Sequence, residues 1–175
     1  RQMNIKKLIV NAEAGDTDCQ SMLAALYYHG DSVSTDYEKA YYWVSKAAAS
    51  GNIYSMYNLG YMYKSGEGTS VDYEKAIHWF TKAAEQRFAL AQCHLGCMYR
   101  DGIGVDEDFE EAFIWLSIAK EQGSYDAQCH LGVMYIDGNG VPESLDEGAY
   151  LITSAYENGY EPAAEFLEEY DLWGM

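Results

Sequence analysis

The feature that most constrains this chain is a 36-residue spacing that runs through most of its length. Leu23, Leu59, Leu95 and Leu131 fall in register, as do Tyr27, Tyr63, Tyr99 and Tyr135, and Gly30, Gly66, Gly102 and Gly138. Trp43, Trp79 and Trp115 follow, with Leu151 in the fourth place, and Ala47, Ala83, Ala119 and Ala155 close the set. No insertion breaks the register over four copies. A fixed period of this length marks a repeat array, in which each copy is one supersecondary unit that buries its core only against neighbours.

Residues 53–87 show the unit most clearly. Met56, Leu59, Gly60 and Tyr63 are spaced as one face of a helix, and Tyr73, Ala76, Ile77, Phe80, Ala83 and Ala84 form a second such face. Between them, Ser65-Gly66-Glu67-Gly68-Thr69-Ser70 permits a tight reversal of the chain. Asp72 is placed to cap the second helix, and Gly51, Gly123 and Gly159 stand where second helices should stop. Arg87 takes that place in the remaining junction, which predicts a different cap there. Gly60 and Ala76 predict a close approach of the paired helices, with Tyr63 and Trp79 filling the space between layers. The unit is a helix hairpin, and the chain is expected to be all-α: an α/α solenoid, wound as a right-handed superhelix of antiparallel helix hairpins.

With the pattern Leu59-Gly60, Tyr63, Gly66-Glu67-Gly68, Asp72, Lys75-Ala76, Trp79 and Lys82-Ala83-Ala84 in view, the chain resembles the Sel-1-like repeat family, relatives of the tetratricopeptide repeat. Residues 91–123 carry Ala91, Leu95-Gly96, Tyr99, Gly102-Ile103-Gly104, Ala112, Trp115 and Gly123, and residues 127–159 carry Ala127, Leu131-Gly132, Tyr135 and Gly138-Asn139-Gly140. The resemblance covers about residues 5–170. It implies a non-enzymatic interaction scaffold or adaptor, in bacterial regulation or host contact, without naming a partner. It also implies an alternative role, since some family members act as immunity or inhibitor proteins that block a toxin or enzyme.

The expected organisation is a single solenoid domain over residues 1–175: a cap helix at 4–15, repeats at 17–51, 52–87, 88–123 and 124–159, and a cap helix at 160–175. Repeat one lacks the second loop glycine (Gly30-Asp31-Ser32-Val33), so its turn is expected to differ in shape. Repeat four has Leu151 for Trp and Gly148 for Ala, which should weaken its packing.

The net charge of −17 is unevenly spread. Residues 1–100 hold ten basic and ten acidic residues, whereas residues 101–175 hold Lys120 against eighteen acids. That half repels phosphate, so nucleic acid and anionic membrane surfaces are not expected partners. A basic protein or peptide is the electrostatic complement. The acid-rich stretch with Asp106, Asp108, Glu110 and Glu111 reads either as a functional acidic face or as a solubilising surface with helix-start carboxylates. No apolar run is long enough to cross a membrane. Lys6–Val10 begins like a signal peptide but meets Asn11 and Glu13 too soon. Arg1 and Gln2 before Met3 suggest a tag or a processed start, which leaves secretion or a periplasmic location open.

The cysteines Cys19, Cys93, Cys97 and Cys129 do not follow the paired placement by which some secreted members of the family staple each repeat, since Ala48, Ala84 and Lys120 hold those end-of-helix places. That favours a reducing, cytoplasmic setting. Cys93 and Cys97 share a helix face, Cys129 lies one repeat on, and His94 or His130 is near in register. Packed thiols explain the set better than zinc, so no metal and no cofactor are expected. His94 and His130 are copies of one repeat position, which argues for packing. No nucleophile has a catalytic signature around it, so no catalytic residue is assigned and an enzyme is not expected.

Function is expected on a concave groove lined by first helices. By analogy with tetratricopeptide arrays its lining is Ala25 and Tyr28; Tyr54, Tyr57, Tyr61 and Lys64; Cys93, Cys97 and Arg100; and Cys129, Val133 and Ile136. Tyr28, Tyr54, Tyr57, Tyr61, Lys64, Arg100 and Ile136 are the expected partner contacts, because aromatic and arginine side chains combine contact area with a polar tip. A monomer is expected, although the sequence leaves oligomeric state open.

Overall fold

A computed structural model describes residues 4–175; Arg1, Gln2 and Met3, where the sequence suggests a tag or processed start, lie outside the described residues. Among the described residues there are ten helices and no strands. They are α1 (Ile5–Glu13), α2 (Thr17–His29), α3 (Tyr37–Ala49), α4 (Ile53–Ser65), α5 (Tyr73–Glu85), α6 (Ala89–Asp101), α7 (Phe109–Glu121), α8 (Tyr125–Asp137), α9 (Leu145–Glu157) and α10 (Ala163–Glu169). They fall into two compact units, one ending at Gln86 and the other spanning Arg87–Met175.

In the first unit α2 pairs with α3 and α4 with α5; α1 covers α2, and α3 packs on α4. In the second, α6 pairs with α7 and α8 with α9; α7 packs on α8, and α10 covers α9. Each repeat is therefore a helix hairpin. In repeats two to four the pairing is close because the first helix presents a buried glycine to a fully buried side chain on the second. A Cβ on Gly60 would stand 2.9 Å from Phe80 Cδ1, one on Gly96 2.7 Å from Leu116 Cγ, and one on Gly132 2.7 Å from Ile152 Cγ1. Phe80, Leu116 and Ile152, rather than the tryptophans, fill the centre of each of these hairpins. Trp43 is buried, whereas Trp79 is half-exposed and carries the Lys82 ammonium 5.0 Å from its ring centre.

The helix starts follow the capping chemistry of the sequence. Asp36, Asp72 and Asp108 each accept from the amide three residues on, at 3.0 Å, and Ser144 does the same at 3.2 Å. The interhelix loop closes with one repeated bond. The amide of Asp36, Asp72, Asp108 or Ser144 donates to the carbonyl of Tyr27, Tyr63, Tyr99 or Tyr135, at 2.8 to 2.9 Å.

Two expectations are overturned by this uniformity. The turn of repeat one keeps the common shape: Ser32, with φ of +64°, takes the left-handed conformation of Gly68, Gly104 and Gly140. Arg87 likewise adopts φ of +66° where Gly51, Gly123 and Gly159 are left-handed, so that junction keeps a left-handed residue despite its side chain. Both are L-residues held in a region that costs them about 1–2 kcal/mol, against roughly 0.5–1 kcal/mol for the extra freedom glycine loses on folding. Ser32→Gly and Arg87→Gly should therefore each stabilise the protein by about 0.5–1 kcal/mol. Urea unfolding checks this through a raised midpoint at unchanged slope.

Repeat four is not loosely packed. Gly148 lets α9 approach α8 until a Cβ there would stand 2.5 Å from the Gly132 carbonyl oxygen and 2.5 Å from Ile136 Cγ1. At the carboxyl end, α10 occupies only Ala163–Glu169 of residues 160–175. Pro162 precedes it and lacks an amide, which marks a helix start. Beyond it Asp171 turns at φ of +52°, and Leu172 folds back to donate its amide to Leu167 and bury its side chain.

Candidate functional site

The expected contact residues separate into two groups when built from their helices. In the first unit, α2 and α4 are the first helices of consecutive repeats. Between them is a cavity of about 220 Å³ lined by Ala24, Ala25, Tyr28, His29, Tyr57, Asn58, Tyr61 and Met62, with Ala40 and Val44 of α3 beneath. Helical spacing explains the grouping: Tyr57 and Tyr61 are one turn apart on one face of α4, and Tyr28 faces them from α2.

Each tyrosine is anchored differently. Tyr28 is half-buried and its hydroxyl donates to Glu67 Oε2 at 2.6 Å, an oxygen that also accepts from Ser65 at 3.2 Å. Burial, then the Glu67 hydrogen bond, pushes the Tyr28 phenol well above its ordinary range, so it stays a neutral donor. The Tyr28 ring also stacks at a tilt against Tyr37, 5.3 Å between centres. Tyr57 is half-buried and rests on Phe80 at 5.8 Å. Tyr61 is 38% exposed at the rim. The result is an apolar floor of small side chains edged by phenols.

Tyr54, 66% exposed in the first turn of α4, does not line the cavity, nor does half-buried Lys64 at the other end of that helix. In the second unit, Arg100 is spent on neighbours: Nε and Nη2 hold Asp101 at 2.7 and 3.1 Å, and Nη1 meets His130 Nδ1 at 3.1 Å. Ile136 packs against Gly148 and the core of α8, α9 and α10, where Cys129 and Val133 are buried. Cys93 is buried against Leu116, Leu131 and Met134. The expected residues that the structure brings together are thus Tyr28, Tyr57 and Tyr61 with Ala25. Ala24, Val44 and Met62 join them without having been expected, and their only signal in the sequence is ordinary helical periodicity.

Asp106, Asp108 and Glu110 are exposed and Glu111 half-buried at the start of α7. Asp108 is the N-cap, accepting from the Glu111 amide, and Glu110 and Glu111 fill the first turn. All four cysteines are free thiols. Cys97 is pulled below the ordinary thiol range by its hydrogen bond with Cys93 and then by His130, while the same bond and burial push Cys93 up.

The Sel1 repeat matches residues 17–52, 53–88, 89–124 and 126–160. The chain belongs to the Sel1 repeat family. A crystal structure of c5321, a protective antigen present in uropathogenic Escherichia coli strains and displaying an SLR fold, is 33% identical over 95% of this chain, with a TM-score of 0.85. A Sel1 repeat protein from Oxalobacter formigenes is 32% identical over 89% of the chain, with a TM-score of 0.81. Helicobacter pylori cysteine rich protein B shares the fold at 23% identity, with a TM-score of 0.57, covering 73% of this chain and 93% of its own. The match spans 36% of the length of the Escherichia coli protein and 62% of that from Oxalobacter formigenes. No curated protein matches this chain.

Sel1 membership and these neighbours establish the fold class, an all-α helix-hairpin solenoid with repeats of about 36 residues. Sel1 repeat proteins generally mediate protein–protein interaction and are generally non-enzymatic. No helix among the described residues is long and apolar enough to cross a membrane.

Proposed function

We propose that this chain is a protein- or peptide-binding scaffold whose primary contact is the tyrosine-edged cleft between α2 and α4. The observation that carries this reading is the cavity of about 220 Å³ with Ala25 and Tyr61 at its rim and Tyr28 and Tyr57 in its walls. An apolar hollow edged by phenols suits one apolar side chain of an incoming segment, with the hydroxyls left to bond its backbone. The acid-rich second unit supports a basic partner, since its charge speeds encounter with positive chains. It also favours a second reading, a blocker that neutralises a basic toxin or enzyme.

Panning a displayed random-peptide library on the immobilised chain tests the cleft. Selected peptides should share one apolar anchor position, and Tyr61→Ala should lose them by about 2 kcal/mol or more, roughly 30-fold. Peptides that share only a run of Lys and Arg, and that bind Tyr61→Ala as well as the parent, would favour the blocker.

A further inference from the structure

A second cluster, on the first helices of repeats three and four, is untouched by that reading. Cys93 and Cys97 lie one turn apart on α6, and α8 brings His130 against them, so that both sulfurs and a ring nitrogen lie within 4.8 Å of one another. Asp126, one turn before His130 on α8, completes the set: its Oδ2 is 3.4 Å from Cys93 Sγ and its Oδ1 is 3.5 Å from His130 Nε2. Cys93 is buried, Cys97 and His130 are half-buried, and the Asp126 side chain is 42% exposed, which leaves an approach from solvent.

Two thiols, an imidazole and a carboxylate are a donor set that zinc takes in tetrahedral order. With Zn–S near 2.3 Å and Zn–N or Zn–O near 2.0–2.1 Å, neighbouring sulfur and nitrogen or oxygen ligands stand about 3.5 Å apart. Each neighbour of Asp126 stands near that spacing, Cys93 Sγ 3.4 Å from Oδ2 and His130 Nε2 3.5 Å from Oδ1, so one carboxylate oxygen has to turn between them to serve as the ligand. The ligand atoms of Cys93, Cys97 and His130, which lie within 4.8 Å of one another, draw in to that spacing by side-chain rotation when the ion binds. Arg100 meets the other ring nitrogen, Nδ1, but is held independently by Asp101, so it can release the ring and stay beside the cluster. There its charge offsets the negative charge left when two thiolates and a carboxylate surround a dication. Cys129, one repeat after Cys93, takes no part; it is buried in the α8–α9–α10 core.

We propose that Cys93, Cys97, Asp126 and His130 form a zinc site that clamps α6 to α8. This goes against the sequence expectation of no metal. The register puts Cys93, Cys97 and His130 near one another but does not mark a repeated site: the places of Cys93 and Cys97 hold Tyr57 and Tyr61 one repeat earlier, and Ser21 and Ala25 one repeat before that. What makes a site is that side chains of two neighbouring repeats converge, which a linear reading does not show.

Cobalt titration of the reduced, metal-free full chain tests the site. One equivalent should produce thiolate-to-cobalt absorption in the near ultraviolet and the strong visible bands of tetrahedral cobalt, and one equivalent of zinc should remove both. Cys97→Ser and His130→Ala should weaken binding by more than the roughly 10–100-fold that an outer-shell change costs, and Cys19→Ser should bind as the parent does. Asp126→Asn, at a side chain that is only partly buried and changes little in size, should lose at least about 10-fold and keeps the test decisive if a thiol variant fails to fold. Absence of the thiolate band in the parent, unchanged cobalt affinity in both His130→Ala and Asp126→Asn, or weakened affinity in Cys19→Ser would overturn the proposal.

Discussion

Phe80→Ala is expected to destabilise the first unit by about 3–5 kcal/mol, the range for removing a large aromatic side chain from a packed core. Phe80 is fully buried and lies against Gly60, whose missing side chain brings α4 close to α5. The helices are held by the repeated loop bond between Asp72 and Tyr63, so they cannot simply slide together over the vacated space. A loss of this size is a large part of the roughly 5–15 kcal/mol by which ordinary domains are stable. Tyr57 rests on the same ring, so the variant should also weaken binding at the cleft. Urea unfolding followed by circular dichroism measures the first effect. A cost below about 1 kcal/mol would show that the hairpin repacks around the hole, contrary to the close packing described above.

Gly148→Ala carries the second large effect, and it runs against the repeat pattern. The equivalent places in the other repeats are Ala40, Ala76 and Ala112, all buried, so alanine is the ordinary occupant. In repeat four a Cβ would meet both the Gly132 carbonyl and Ile136. Overpacking of this kind costs about 1–3 kcal/mol, offset by up to about 1 kcal/mol from the better helix propensity of alanine. A net destabilisation of about 1–2 kcal/mol is expected. Because Ile136 supplies half of the clash, the cost should shrink in an Ile136→Ala background; a double-mutant cycle measures that coupling. Equal cost in both backgrounds would place the clash on the backbone alone.

Much of the fold was legible because each repeat solves the same problem with the same residues. The glycine of Leu-Gly, the caps Asp72 and Asp108 and the loop glycines each leave a local signature that recurs every 36 residues. Ser32 and Arg87 misled for a physical reason. Residue identity signals a preference for the left-handed region, but the surrounding turn imposes it regardless. The shortening of α10 follows from Pro162 and the turn at Asp171, which a repeat register extended by analogy passes over.

The site was legible only in part. Helical spacing grouped Tyr57 with Tyr61, but it set Tyr54 and Lys64 beside them although neither lines the cavity. Exposure and partners depend on the neighbouring helix, and that dependence also decides the second unit. Arg100 turns to Asp101 and His130, and Ile136 is drawn under Gly148. Gln20 and Gln92, buried polar side chains, carry no sequence signal because their partners lie in other parts of the chain: Gln20 donates to the Ala12 carbonyl at 3.0 Å, and Gln92 accepts from Gln122.

The most direct test of binding at the cleft is isothermal titration of the strongest library-selected peptide into the parent chain and into Tyr61→Ala, at low and at high salt. Saturable one-to-one binding is expected, weakening roughly 30-fold or more in Tyr61→Ala at both salt concentrations, with salt changing the parent affinity only modestly. Binding that ignores Tyr61→Ala and collapses as salt rises would contradict the cleft as the primary contact, and would assign recognition to the acidic second unit instead.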